Sequence, residues 1–184
     1  MTTHAAPVEA FDLVIFGGTG DLALRKLLPA LFHRYADGQI PAGSRVIGVA
    51  RDALSDVEYR GRVRPAIERD AGWPAESKLA ADEFVDLVGY RALDATRAEG
   101  WAELAALLGS TGDRVRVFYL ATGPDLFAGI CGKLKEHGLN RGRVRVVIEK
   151  PIGKDARSAA AINDAVGQAF DEGQTFRIDH YLGK

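Results

Sequence analysis

The sequence has little cysteine and almost no excess of charge. Its 184 residues include one cysteine, Cys131, which excludes an internal disulfide framework and fits a reducing compartment. Cys131 lies among apolar neighbours, so we expect a buried thiol rather than a reactive nucleophile. The net charge of −1 provides no overall field to recruit nucleic acid or an anionic membrane. We therefore expect neither as a partner.

Long apolar runs are also missing from the sequence. None approaches the roughly 20 residues that span a bilayer. Residues 1–10 have neither the basic stretch nor the apolar stretch of a signal peptide, so we expect a cytoplasmic protein. The length fits one domain, which buries enough surface to fold without a disulfide or a metal site.

Short apolar runs alternate with longer segments of helical periodicity. Strands are predicted over residues 11–16, 45–50, 88–93, 114–121, 144–148 and 174–178. Helices are predicted over residues 21–36 with a kink at Pro29, and over residues 56–69, 77–87, 96–108, 125–137 (capped by Asp125) and 155–170. The alternation predicts an α/β fold, a Rossmann-like, doubly wound, mainly parallel sheet with helices on both faces.

A glycine-rich turn follows the first predicted strand. Residues 18–23 match the pattern G-x-G-x-x-A between a strand and a helix. Glycine permits the tight turn, and backbone N–H groups then approach a diphosphate at the positive end of the helix. Glycine turns between strands and helices are also common without a ligand, so the context of strand, helix and second strand matters for this prediction.

The end of the second predicted strand indicates which dinucleotide binds. Arg51 stands there, and a guanidinium can bind the 2′-phosphate of NADP with two charge-assisted hydrogen bonds. Asp52 follows directly and would repel that phosphate or bind the 2′-hydroxyl of NAD instead. The alternative for Arg51 is a solvated surface charge. We favour NADP and leave some use of NAD open.

Two further motifs carry polar side chains. Lys150 in the sequence EKPIG follows a predicted strand, where a side chain points into the ligand crevice of a parallel sheet, and the Lys150–Pro151 bond can be cis. In the octet RIDHYLGK at residues 177–184, His180 and Lys184 can donate charge-assisted hydrogen bonds to a phosphate, and Asp179 can orient an imidazole. A surface lysine and an exposed helix end are the ordinary alternatives.

The motifs GGTGDLA, EKPIG and RIDHYLGK, in this order, resemble the glucose-6-phosphate dehydrogenase family. The resemblance runs from about residue 11 to residue 184 and does not reach the family's large C-terminal β+α domain. The segment Thr122-Gly123-Pro124 departs from the family, which more often has two prolines there. We therefore expect a flexible tail at residues 1–10, a dinucleotide-binding Rossmann domain at 11–176, and the start of the substrate-binding motif at 177–184, where the chain is cut off.

The resemblance implies a role for each matched residue of the cofactor site. The glycine turn would hold the dinucleotide phosphates, and Arg51 would hold the 2′-phosphate. Asp94 and Ala95 would make a weaker cofactor contact, and Lys150 would lie between cofactor and sugar. The implied cofactor-binding residues are Gly17, Gly18, Thr19, Gly20, Asp21, Leu22, Arg51, Asp94, Ala95 and Lys150.

The octet is implied to hold the substrate, glucose 6-phosphate. His180 and Lys184 would bind its 6-phosphate, Tyr181 would help to hold that phosphate, and Lys150 would contact the sugar. Asp179 would pair with a catalytic histidine from the missing domain, which makes Asp179 and Lys150 the catalytic candidates. The histidines that do not match the motif of that base are His4, His33 and His137.

The implied reaction is oxidation of glucose 6-phosphate at C1 to 6-phosphogluconolactone with reduction of NADP, the first step of the pentose phosphate pathway. The full-length enzyme would be a homo-oligomer assembled through the missing domain, and this chain alone would bind NADP without catalysis. The competing interpretations are a pure NADP-binding module and another sugar oxidoreductase with an EKP turn. The octet favours the dehydrogenase, since neither alternative needs it.

Overall fold

The computed structural model describes residues 8–69, 78–109 and 112–179. The predicted loop around Gly72, Trp73 and Pro74 lies outside the described residues, as do Ser77 and most of the predicted tail. In the described part of the chain, no helix combines the length and the apolar character needed to cross a membrane.

A six-stranded parallel sheet forms the centre of the domain. Its strands are β1 (Phe11–Phe16), β2 (Arg45–Ala50), β3 (Val88–Ala92), β4 (Val115–Leu120), β5 (Val144–Glu149) and β6 (Thr175–Ile178). Their order across the sheet is β3-β2-β1-β4-β5-β6, so the chain runs outward from β1 and then returns to its other side at β4. Ligand crevices of such sheets lie at this reversal, at the carboxyl ends of the strands.

The predicted α/β architecture is confirmed, with a hydrophobic core on each face of the sheet. The helices are α1 (Leu28–Ala36), α2 (Asp56–Glu68), α3 (Lys78–Leu87), α4 (Trp101–Gly109), α5 (Phe127–Glu136) and α6 (Ala156–Ala169). Alternate residues of β1 enter different cores: Val14 and Phe16 join one, with α4, α5 and α6, while Leu13 and Ile15 join the other, with α1, α2 and α3. Burial on both faces explains why β1 is continuously apolar.

The helix predicted over residues 21–36 is built in two parts. A π-helical turn spans Ala23–Leu27, and α1 follows with Pro29 in its first turn. The Leu28 N–H donates to the carbonyl of Ala23, five residues earlier. Proline has no N–H to continue the ordinary ladder, so the irregularity expected at Pro29 takes the form of this wider turn directly before it.

Two predicted helix starts are wrong. The helix predicted from residue 96 begins at Trp101, because the Asp94 carboxylate accepts the Thr96 N–H at 2.9 Å and Gly100 has a φ of +86°. Asp125 does not cap α5. It lies inside a 3₁₀ turn, Pro124–Leu126, and the residue that precedes α5 makes no side-chain cap bond.

Cys131 is fully buried on α5, as expected from its apolar neighbours. Burial raises the pKa of its thiol to about 12. A thiol with such a pKa stays protonated at neutral pH, so Cys131 acts as a small apolar side chain of the core.

Candidate functional site

A cleft of about 610 Å³ opens at the carboxyl ends of β1, β2, β3 and β4. It lies at the point where the strand order reverses, as the fold predicts. Four loops line it, and many of the residues predicted to bind a cofactor lie in three of them, the loops after β1, β2 and β3. The predicted residues in its wall are Gly17, Thr19, Gly20, Arg51, Asp94 and Ala95.

The glycine turn packs tightly against two strands of the sheet. Gly17 has a φ of +84°, and a Cβ at this position would overlap the carbonyl oxygen of Ala121. A Cβ at Gly18 would lie 2.7 Å from the Cα of Gly48 on β2. Since both obstacles are backbone atoms, only glycine fits either position. The absence of side chains at these two positions therefore lets the turn pack closely against the neighbouring backbone at the cleft.

The amides of this turn divide into two groups. The N–H groups of Gly17 and Gly18 donate to the carbonyl of Val49 at 2.8 and 3.0 Å, and that of Gly20 donates to Gly17 at 2.9 Å. These bonds shape the turn. In the described residues, the amides of Thr19, Asp21 and Leu22 have no backbone acceptor. They are therefore the donors left for an anion at the start of the helix.

Arg51 lies exposed in the cleft wall, directly after β2. The carboxylate of the neighbouring Asp52 is 3.5 Å from a guanidinium nitrogen of Arg62, so its charge has a positive partner. This pairing weakens the objection that Asp52 would repel a 2′-phosphate. After β3, the strand next to β2, hydrogen bonds from Thr96, with smaller effects from the charges of Arg97 and Arg51, lower the pKa of Asp94.

A second groove, of about 470 Å³, lies beside the glycine turn and contains Lys150. The Lys150 Nζ is 3.6 Å from a carboxylate oxygen of Asp179. Their strands, β5 and β6, are neighbours, and the Lys150 N–H donates to the carbonyl of Ile178 at 3.0 Å. The Lys150–Pro151 peptide bond is cis. The two catalytic candidates of the sequence are thus brought together at one edge of the sheet.

The same groove is lined by Asp21 and Leu22 from the end of the glycine turn. It joins the predicted diphosphate turn to the predicted catalytic pair. His180, Tyr181 and Lys184 lie outside the described residues, so their predicted substrate contacts stay predictions.

The groove also contains two basic residues that sequence reasoning did not single out, Arg25 and Lys26. The helical spacing after the glycine turn was a usable signal for Arg25, whose Nε lies 3.3 Å from Asp21 one turn earlier. Sequence reasoning also missed a contact between two strands, in which the Tyr119 hydroxyl on β4 donates to the carboxylate of Glu149 on β5. No local pattern indicated that contact.

Comparison with known proteins gives consistent matches over nearly all of the chain. A family model described as glucose-6-phosphate dehydrogenase, NAD binding domain, matches residues 14–184. The chain is 46% identical over 184 residues to glucose-6-phosphate 1-dehydrogenase of Rhizobium meliloti, and 47% identical over 188 residues to that of Mycolicibacterium smegmatis. Each alignment covers 100% of this chain and 38% of the relative.

The fold agrees with that of a solved relative, a glucose-6-phosphate dehydrogenase in complex with its substrate glucose 6-phosphate. The two superpose with a TM-score of 0.87 at 34% identity, over 98% of this chain and 38% of the other. The chain thus spans well under half the length of the relatives it matches. It belongs to the glucose-6-phosphate dehydrogenase family and matches the NAD-binding domain of that family.

Proposed function

We propose that the cleft binds NADP, with the 2′-phosphate on Arg51 and the diphosphate on the glycine turn. The observation that carries the proposal is the position of Arg51, which is exposed in the wall of the cleft formed by that turn. A guanidinium there can hold a phosphate that NAD does not have. The pairing of Asp52 with Arg62 leaves Arg51 as the charge that decides between the two cofactors.

The turn itself fits a dinucleotide. A side chain at Gly17 or Gly18 has no space, because backbone atoms of β2 and of the residue after β4 lie directly against them. The backbone of the turn therefore stays close to the sheet at the cleft. The amides of Thr19, Asp21 and Leu22 supply donors at a helix start, where the helix dipole also favours an anion. The amides of Gly18 and Gly20 already donate within the protein, so these glycines contribute to the site through the shape of the turn.

We further propose that the whole protein oxidises glucose 6-phosphate at C1. A base takes the proton of the C1 hydroxyl, the hydride leaves C1 for the nicotinamide, and the sugar becomes the 6-phospho-lactone. NADP, when bound, supplies the hydride acceptor. Lys150 at the groove would contact the sugar, and His180 and Lys184 would hold its phosphate. Fixing the phosphate places C1, and such positioning is worth roughly 7–11 kcal/mol of barrier.

The base is proposed to lie outside the residues of this chain that the structure describes. Asp179 would orient it, as a carboxylate orients a histidine in a triad. The two described histidines, His33 and His137, line neither the cleft nor the groove beside Lys150. That observation favours a second candidate function for the 184 residues alone, which is that of an NADP-binding module. A cytoplasmic location stays part of the proposal, supported by the single, buried thiol.

Replacing Arg51 with alanine should remove most of the preference for NADP. Losing a charge-assisted phosphate contact should cost about 1.5–3 kcal/mol, which weakens NADP binding roughly 10- to 150-fold. NAD binding should change little, because NAD lacks the 2′-phosphate. Titration calorimetry with both cofactors measures the two affinities.

A suitable control is Arg34→Ala, which removes the same charge from an exposed side chain of α1. It should leave both affinities unchanged. Equal affinities for NADP and NAD in the unmutated chain, or an NADP affinity that Arg51→Ala leaves intact, would contradict the assignment of Arg51.

The 184-residue chain should not oxidise glucose 6-phosphate at a measurable rate, because no described histidine is placed to take the proton. Absorbance at the NADPH wavelength measures turnover directly. The Gly20→Asp variant, which puts a negative charge in the diphosphate turn, provides the background. Steady NADPH production above that background would mean that a base within this chain had been overlooked.

A further inference from the structure

Two buried tyrosines lie beneath the cleft and contact both halves of it. Tyr59 comes from α2 and Tyr90 from β3, and their exposed fractions are 0% and 2%. The ring centroids are 4.8 Å apart, with an interplanar angle of 35°. The two tyrosines are 31 residues apart in sequence yet pack together in the core, and neither belongs to the glycine turn, the EKPIG sequence or the octet.

The Tyr90 hydroxyl holds the backbone on both sides of Arg51. It lies 3.0 Å from the carbonyl oxygen of Ala50 and 2.7 Å from that of Asp52, and shares its proton between them. Arg51 is the residue between these two carbonyls, so a single side chain restrains the bend from which its guanidinium projects into the cleft.

Both carbonyls also accept a second hydrogen bond. The Leu93 N–H donates to Ala50 at 2.8 Å, and the Leu54 N–H donates to Asp52 at 3.0 Å. Removing the Tyr90 hydroxyl therefore leaves neither carbonyl without a partner, and the cost to the fold should be small. The bend that carries Arg51 would nevertheless lose its common anchor.

The Tyr59 hydroxyl holds the other half of the cleft. It donates to the carbonyl of Gly18 in the glycine turn at 2.8 Å. The ring reaches that carbonyl by passing β2 at Gly48, where a Cβ would overlap the ring. Gly48 thus makes room for the tyrosine and for the close approach of Gly18, which lies over the same residue. This explains a glycine in the middle of a buried strand.

We propose that Tyr59 and Tyr90 are positioning residues with separate tasks: Tyr90 sets the preference for NADP over NAD through Arg51, and Tyr59 sets the affinity for both through the diphosphate turn. The inference rests on the proposed binding of NADP in this cleft. It adds two residues that touch neither the 2′-phosphate nor the nicotinamide.

Both phenols remain hydrogen-bond donors over the ordinary pH range. Burial, with a smaller contribution from the charge of Asp52, raises the pKa of Tyr90 to about 12. Burial also raises the pKa of Tyr59, and Tyr90 adds to the effect. A tyrosine that stays protonated can hold a carbonyl at any pH at which the protein is assayed.

The test is titration calorimetry of NADP and NAD with the variants Tyr90→Phe and Tyr59→Phe. Each variant keeps the ring and removes one hydroxyl. Tyr90→Phe should weaken NADP binding by about fivefold, the size of one net hydrogen bond, and leave NAD binding within about twofold. Tyr59→Phe should weaken both by about the same factor and keep their ratio. Thermal melts establish that both variants are folded.

A double variant separates positioning from a general loss of packing. If Tyr90 acts through Arg51, then Arg51→Ala combined with Tyr90→Phe should bind NADP no more weakly than Arg51→Ala alone. A purely structural role would instead make the two losses add and would weaken NAD equally. The cycle keeps its meaning even if Tyr90→Phe lowers the melting temperature, because NAD binding measured in the same variants reports any general loss of the site.

The outcomes distinguish this inference from the proposed function. If Arg51→Ala removes the preference for NADP while Tyr90→Phe changes that preference by less than about twofold, the role of Tyr90 is wrong and that of Arg51 stands. A changed ratio in Tyr59→Phe overturns the division of tasks. An unmutated chain that binds neither cofactor overturns the proposed function, and this inference with it.

Discussion

An Asp12→Ala chain is expected to lose about 3 kcal/mol of its free energy of unfolding. Asp12 is fully buried at the start of β1. Its carboxylate accepts two hydrogen bonds from Arg45 at 2.8 and 2.9 Å, and a guanidinium nitrogen of Arg114 lies 3.4 Å away. Alanine would leave two neighbouring positive charges without their shared partner. The same residue thus joins the amino-terminal ends of β1, β2 and β4.

The expected loss lies at the lower end of the range for broken buried ion pairs, about 3–5 kcal/mol. The guanidinium side chains of Arg45 and Arg114 keep 25% and 22% of their surface exposed, so water can solvate them in part. A loss of this size is still a large share of the 5–15 kcal/mol that typical domains have.

Urea unfolding followed by circular dichroism measures the difference. The control is Glu136→Ala, which breaks an exposed pair with Lys133 at 2.8 Å and should cost at most about 1 kcal/mol. If Asp12→Ala and Glu136→Ala cost the same, the buried carboxylate does not hold the three strands together as described.

Gly18→Ala should weaken the binding of NADP and NAD alike, by at least about 100-fold. The new Cβ would lie 2.7 Å from the Cα of Gly48 and 2.9 Å from the N of Val49, and neither backbone atom can swing aside. The turn must then lift away from β2. That movement breaks the bond from Gly18 to Val49 and displaces the amides of Thr19 and Asp21. Losing two charge-assisted bonds to a diphosphate accounts for the factor.

A matched control is Gly61→Ala on α2, where a Cβ meets nothing within 4 Å. This change should leave both affinities intact and favour the helix slightly, because alanine has the higher helix propensity. Calorimetric titration compares the two variants. Binding by Gly18→Ala that matches Gly61→Ala would show that the diphosphate does not lie on this turn.

Most of the fold could be predicted because the strands carry a strong local signal. Strands β1 and β2 match their predicted bounds, since residues buried on both faces form continuous apolar runs that end at turns. Helix starts were harder to predict. The start of α4 depends on whether the Asp94 side chain bonds the backbone of Thr96, and an Asp-x-Thr sequence also occurs within helical periodicity.

The candidate site was predictable only where its residues follow one another in sequence. The glycine turn and Arg51 each lie next to a predicted strand, so their places followed from the order of elements. Tyr59 and Tyr90 act through contacts made across 41 and 38 residues, to Gly18 and to Asp52. Such contacts depend on how α2 and β3 pack, and no local sequence pattern indicates them.

The claim that this cleft holds NADP is tested most directly by a titration of the isotopically labelled chain with NADP, followed by the amide signals in NMR spectra. We expect the largest shifts at the open amides of Thr19, Asp21 and Leu22, together with those of Arg51 and Asp94 after β2 and β3. Signals at the amino-terminal ends of the strands, around residues 9–12 and 43–45, should stay in place. Shifts concentrated at those ends, or a glycine turn unmoved at saturating NADP, would contradict the assignment of the cleft.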